Sequence, residues 1–67
     1  MDVFLYNDLK FHSVYQNVVL IKESGTRLTI TQEAYRESDE DGLPYKWLNE
    51  TTINKKLEGI TVVEVRE

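Results

Sequence analysis

The chain has 67 residues, one histidine, no cysteine and a formal net charge of −4 at pH 7. This length fits one small domain, residues 1–67, and the lack of cysteine excludes disulfides and cysteine-based catalysis. The negative charge disfavours nucleic acid as a partner, because phosphate binding depends on clustered Lys and Arg and the one adjacent pair is Lys55-Lys56.

The first half of the chain predicts short strands joined by turns. Apolar residues recur at every second position in runs rich in Val, Ile, Thr and aromatic residues, and Asn-Asp and Ser-Gly pairs separate the runs. The spacing predicts strands over residues 3–6, 9–14, 18–23 and 27–35. In the second of these, Leu9 and Phe11 are expected on one face, opposite Lys10 and His12.

The second half begins with an acidic segment and continues as a fifth strand. Alternation from Tyr45 to Ile53 predicts that strand, with Pro44 at its first residue or on a sheet edge. Residues 54–59 predict one helical turn, and residues 60–65 a closing strand. A longer helix over residues 45–58 is the alternative. The expected fold is mainly β, with five or six antiparallel strands forming a small barrel or a curved sheet.

The acidic segment has four carboxylates, Glu37, Asp39, Glu40 and Asp41, before Gly42. Its spacing resembles a calcium-binding loop, but Pro44 interrupts it and Leu48 stands where such a loop closes on a Glu. We therefore expect a solvated loop, with electrostatic recognition of a partner as its alternative role.

Side chains suited to catalysis are few. A serine mechanism would need Ser13, Ser24 or Ser38 to meet His12 and a carboxylate, and none of these serines lies in a glycine-flanked elbow. The sequence thus predicts no enzyme activity, no catalytic residue, no metal site and no cofactor.

The aromatic pair at Tyr45 and Trp47 follows Leu43 and predicts an interface. Sixty-seven residues with 40% hydrophobic side chains give a thin core, and neither disulfides nor a metal site supplements it. We therefore expect a homo-oligomer with Leu43, Tyr45 and Trp47 at or near the contact. For the aromatics themselves, packing in the core or at a sheet edge is the role favoured first, and a protein-binding patch is the next.

The order of features resembles that of small uncharacterised all-β proteins from phages and prophages of Gram-positive bacteria. It comprises an N-terminal hairpin, then Asn17-Val18-Val19, Ile21-Lys22-Glu23-Ser24-Gly25, Leu28-Thr29-Ile30-Thr31-Gln32 and the closing Ile60-Thr61-Val62-Val63-Glu64-Val65. The resemblance implies a setting in which small non-enzymatic chains bind and block a host protein, sequester a small ligand or serve in assembly.

The function expected from these observations is a binding module for a protein partner, with inhibition of a host factor as a specific form. A small β-barrel that binds nucleic acid or a nucleotide is the alternative, and an acidic mimic of nucleic acid is a third hypothesis. The start of the chain has neither the basic residues nor the apolar run of a secretory signal, and the longest apolar run is Val18 to Ile21. The expected location is the cytoplasm, or the host cytoplasm if the chain is phage-derived, without membrane contact.

Overall fold

Six strands and one short helix make up the parts of the chain that the computed structural model describes. These parts are residues 1–37 and 44–67, with the backbone alone described at positions 37 and 44. In chain order the elements are β1 (Asp2–Asn7), β2 (Lys10–Tyr15), β3 (Val18–Ser24), β4 (Arg27–Glu37), β5 (Pro44–Asn54), α1 (Lys55–Glu58) and β6 (Val62–Arg66).

The strands form two antiparallel three-stranded sheets. Sheet A has the order β2-β1-β6, and sheet B has the order β3-β4-β5. The two sheets join at one corner, where the N-terminal amine of Met1 donates to the carbonyl of Val18 and the amide of Val18 donates to the carbonyl of Met1. The mainly β prediction is confirmed. The six described strands curve without closing into a barrel.

A small core lies between the two sheets. Val3 and Leu5 of β1 and Leu28 and Ile30 of β4 are fully buried. The rest of the buried cluster is Val18, Ile53 and Ile60, with Tyr15, Ile21 and Val63 packed against it. Alternate residues of β1 and β4 supply these side chains, as a strand with one buried face requires.

Helix α1 has capping groups at both ends. The Asn54 side chain accepts hydrogen bonds of 3.1 Å from the amides of Lys56 and Leu57. At the other end Gly59 has a φ of 69°, and the Ile60 amide donates to the Lys55 carbonyl at 2.8 Å. Asparagine at the first cap and a left-handed glycine at the last are the residues these positions favour. The prediction of a strand and a helical turn is confirmed, and the alternative of a longer helix over residues 45–58 is wrong.

A β-bulge in β2 changes the predicted faces of that strand. Leu5 lies opposite Ser13 and Tyr6 lies opposite Phe11, so His12 is the extra residue. The bulge places Phe11 on the outer face of sheet A against Tyr6, where the two rings meet edge to face at 6.3 Å. Leu9 lies in the turn before β2 and is fully exposed. The expectation that Leu9 and Phe11 share a strand face is wrong.

The molecule is elongated along the β4–β5 hairpin. Its radius of gyration is 14.4 Å, whereas a compact chain of 67 residues has about 11 Å. Strands β4 and β5 have 11 residues each, and β3 accompanies β4 only as far as Gln32 and Glu33. The distal part of the hairpin is therefore two-stranded.

Candidate functional site

The distal part of the β4–β5 hairpin is the candidate site, and we call residues 33–37 and 44–48 the arm. Its register runs from Glu33 opposite Leu48 to Glu37 opposite Pro44. An isolated two-stranded hairpin is marginally stable in water. An arm of this kind therefore gains stability from contact with another surface.

One face of the arm continues the inner face of sheet B beyond the core. On this face Trp47 lies opposite Ala34, and Tyr45 lies opposite Arg36. The Tyr45 and Trp47 rings are 5.8 Å apart, and the Trp47 Nε1 donates to the Asn49 Oδ1 at 3.1 Å. Tyr45 is 60% exposed. Trp47 is half-buried. The inner face thus presents two adjacent aromatic rings that do not belong to the buried core.

The opposite face of the arm mixes apolar and charged side chains. Tyr35 and Leu48 are exposed there by 67% and 64%. Beside them, the Lys46 Nζ and the Glu33 Oε1 form an ion pair at 3.2 Å. Because both members are partly exposed, this pair contributes little to stability, and it orients Lys46 along the sheet.

Two open grooves flank the base of the arm. One has a volume of about 460 Å³ and lies between the end of β2 and the arm, with Val14, Gln32 and Asn49 in its lining. The other, about 230 Å³, lies between Met1, Val19 and Tyr35. Both have exposed walls, so they suit a protein segment better than an enclosed small ligand.

The predicted interface and loop residues are described only in part. The structure places Tyr45 and Trp47 together on the inner face of the arm, as the alternation of β5 predicts. Leu43, Asp39, Glu40 and Asp41 lie outside the described residues. The backbone of Glu37 ends β4 opposite Pro44, at the point where the acidic segment begins.

A second apolar surface, which the sequence analysis did not identify, lies on the outer face of sheet A. Its members share the outward-facing register positions of three paired strands: Phe4, Tyr6, Phe11, Val14 and Val62. The Arg66 guanidinium lies 4.3 Å from the centre of the Phe4 ring. The same guanidinium donates a hydrogen bond to Glu64, which lowers the pKa of Glu64 below its ordinary value and raises that of Arg66.

The single histidine contacts a hydroxyl and a carboxylate. His12 Nδ1 lies 2.9 Å from Ser13 Oγ, and His12 Nε2 lies 3.4 Å from Glu58 Oε2. These are the groups of a serine-histidine-carboxylate chain. The adjacent groove, about 570 Å³, is lined by residues 7–12 and not by Ser13. The contacts therefore connect α1 to the bulge of β2, and Ser13 does not line this groove.

Among residues 1–37 and 44–67 there is no cluster of three or more His, Asp or Glu side chains placed to hold a metal ion. In the same residues, no helix is both long and apolar enough to cross a lipid bilayer.

Comparisons with known proteins give no relative. No protein-family model matches the chain, and no significant match was found among curated proteins or among solved structures.

Proposed function

We propose that this protein is a non-enzymatic binding module that associates with protein surfaces, other copies of itself included, through the arm. The observation that carries the proposal is the Tyr45–Trp47 ring pair on the inner face of the arm, beyond the last buried residues of sheet B. Tyr and Trp supply much of the energy in protein interfaces because they bury large areas with few rotatable bonds.

The exposed area of the chain supports this proposal. A compact monomer of 7.9 kDa exposes about 4,400 Å². This chain exposes 5267 Å². The excess is close to the roughly 800 Å² that each partner contributes to a standard interface. The elongated shape therefore leaves about one interface's worth of surface uncovered.

The charge of the arm favours protein over nucleic acid. Lys46, one of its described cations, is already paired with Glu33, and the arm ends at the acidic segment of the sequence. Phosphate binding would require a basic groove beside the aromatic rings. The phage-like order of features makes a host protein a specific candidate partner.

Photo-crosslinking at two matched positions tests the proposal. Tyr45 on the arm and Phe11 on sheet A are both 60% exposed aromatic residues. A photoreactive phenylalanine analogue replaces one or the other, and the tagged protein is irradiated in a lysate of its native cell. We expect a covalent adduct with protein from position 45 and little from position 11.

Other outcomes of this experiment would contradict the proposal or favour its alternative. Equal adducts from both positions, or none from position 45, would contradict the assignment of the arm as the binding surface. A nuclease-sensitive adduct at position 45 would favour the alternative, a nucleic-acid-binding module.

A further inference from the structure

Among the described residues, strand β5 is one of the two edges of sheet B, the other being β3. Two hydrogen bonds show which backbone groups of β5 point outward. The Lys55 amide donates to the Thr26 carbonyl at 2.7 Å, and the Glu33 amide donates to the Asn17 carbonyl at 2.9 Å. In an antiparallel ladder, residues alternate between facing the partner strand and facing away from it. Odd-numbered residues of β5 thus bond to β4. The N–H and C=O groups of Lys46, Leu48, Glu50 and Thr52 point away from the sheet.

We propose that a second copy of this chain occupies that edge, with its β5 antiparallel to the first and Leu48 opposite Leu48 on a two-fold axis. The proposal rests on the proposed function and names the partner of the arm. It produces a continuous six-stranded sheet in the order β3-β4-β5-β5-β4-β3. A two-fold contact of this kind is self-complementary and closes after two copies.

Charge selects this register. With Leu48 opposite its copy, Lys46 of each chain, which also lies 3.2 Å from Glu33 of its own chain, is opposite Glu50 of the second copy. Two cross-strand pairs of opposite charge therefore form. A shift that centres the axis on position 46 or on position 50 brings like charges together. The registers between these, with the axis at position 49 or 47, place the apolar Leu48 opposite the charged Glu50 or Lys46. A register shifted by one residue places the outward N–H and C=O groups of one β5 opposite backbone groups of the other β5 that are already bonded to β4. Cross-strand charge pairs are favourable when opposite and unfavourable when alike.

The same register also gives the β5 edge of the arm a partner strand. Residues 44–48 of one chain pair with residues 48–52 of the other, so each arm lies alongside the part of the second sheet that belongs to its core. On the inner face Trp47 lies opposite Asn49 of the second copy, and Tyr45 lies opposite Thr51 of the second copy. Pro44, which has no N–H, falls at the end of the shared ladder, where a missing donor is tolerated.

Sedimentation equilibrium of two charge variants tests the pairing. K46E and E50K each place like charges opposite one another twice in a dimer, and each is expected to weaken association about tenfold. An equimolar mixture of the two restores both opposite-charge pairs, because the K46E chain presents only acids at these positions and the E50K chain only bases. The mixture is therefore expected to associate about as tightly as the wild type.

A single cysteine reports the position of the axis. The chain has no cysteine, so Leu48→Cys gives each copy a single thiol. In the proposed dimer the two Cα atoms at position 48 are about 5.5 Å apart, which puts the thiols within reach of a short bifunctional thiol reagent. Thr52→Cys is the matched control on the same edge, because its two copies lie about 26 Å apart in this register. We expect a covalent dimer from the first variant and not from the second.

Three results would overturn the inference: a monomeric wild type at about 100 μM, a mixture that associates no better than its components, or cross-linking at position 52 in place of 48. Circular dichroism checks folding, and Glu50→Gln replaces E50K if that variant unfolds, with a smaller expected weakening. A monomeric wild type that still forms a protein adduct at Tyr45 would overturn the second copy as partner and leave the proposed function standing.

Discussion

Trp47 lies opposite Ala34 in the β4–β5 ladder, on the same strand face as the buried Leu28 and Ile30 but beyond the end of the core. After Ile30 the inner face of β4 carries only Gln32, the small Ala34 and Arg36, whereas β5 still carries aromatic rings there. On this face the aromatic side chains of β5 therefore extend beyond the buried core.

Trp47→Ala is expected to keep the fold and weaken association. The half-buried ring lies beside Tyr45 and outside the core cluster, so the unfolding free energy at a concentration where the chain is monomeric falls by less than about 1.5 kcal/mol. Leu28→Ala, a core control, costs about 2–5 kcal/mol. Urea unfolding and sedimentation equilibrium measure the two effects. Equal destabilisation by both variants would place Trp47 in the core.

Gly59→Ala is expected to destabilise the protein more than Gly25→Ala. Both glycines are left-handed, with φ of 69° and 60°, which costs an alanine about 1–2 kcal/mol. At Gly59 an added Cβ would also lie 2.7 Å from the Asn7 Nδ2, whereas at Gly25 it meets open space. Thermal unfolding compares the two. Adding Asn7→Ala should remove the difference, and equal costs without it would show that Asn7 moves freely.

Asn54→Ala is expected to cost about 1 kcal/mol, because two amides of α1 lose their acceptor. Asn54→Asp, which keeps a side-chain oxygen at the cap, serves as the conservative control and should retain most of the stability. Urea unfolding curves decide the point. An unchanged midpoint for Asn54→Ala would mean that α1 contributes nothing to the stability of the fold.

The variant in which Glu37, Asp39, Glu40 and Asp41 are all replaced with Ser or Asn is expected to change stability by less than about 1 kcal/mol, since a segment of like charges that the sequence predicts to be solvated adds little to the folded state. Thermal unfolding and the crosslinking at Tyr45 are measured on the same variant. Loss of the adduct with the fold intact would assign these carboxylates to partner recognition.

Alternation in the sequence was sufficient to predict the strands that form the core and the inner face of the arm. Leu28 and Ile30 in β4, and Tyr45, Trp47 and Ile53 in β5, occupy alternate positions, although Leu48 and Asn49 interrupt the pattern in β5. The structure places each set on one face. The cap residues Asn54 and Gly59 likewise predicted the single helical turn, because each has a specific backbone role there.

Sequence alternation failed at β2 and could not reveal the arm. The bulge at His12 reverses which face of sheet A the preceding residues of β2 occupy. The bulge arises from the pairing of β2 with β1, which is not a local property of the sequence. Whether Trp47 is buried depends on where sheet A ends relative to β5, a tertiary relationship without a sequence pattern of its own. Ile60, predicted to begin the last strand, instead packs in the core directly after Gly59.

Amide hydrogen exchange along β5 tests the central claim most directly. In a monomer the amides of Leu48 and Glu50 face solvent and exchange fast, while those of Trp47 and Thr51 are bonded to β4 and exchange slowly. If the β5 edge pairs with a second copy, raising the protein concentration slows exchange at positions 48 and 50 and leaves positions 47 and 51 nearly unchanged. Fast exchange at Leu48 and Glu50 at every concentration would contradict the account.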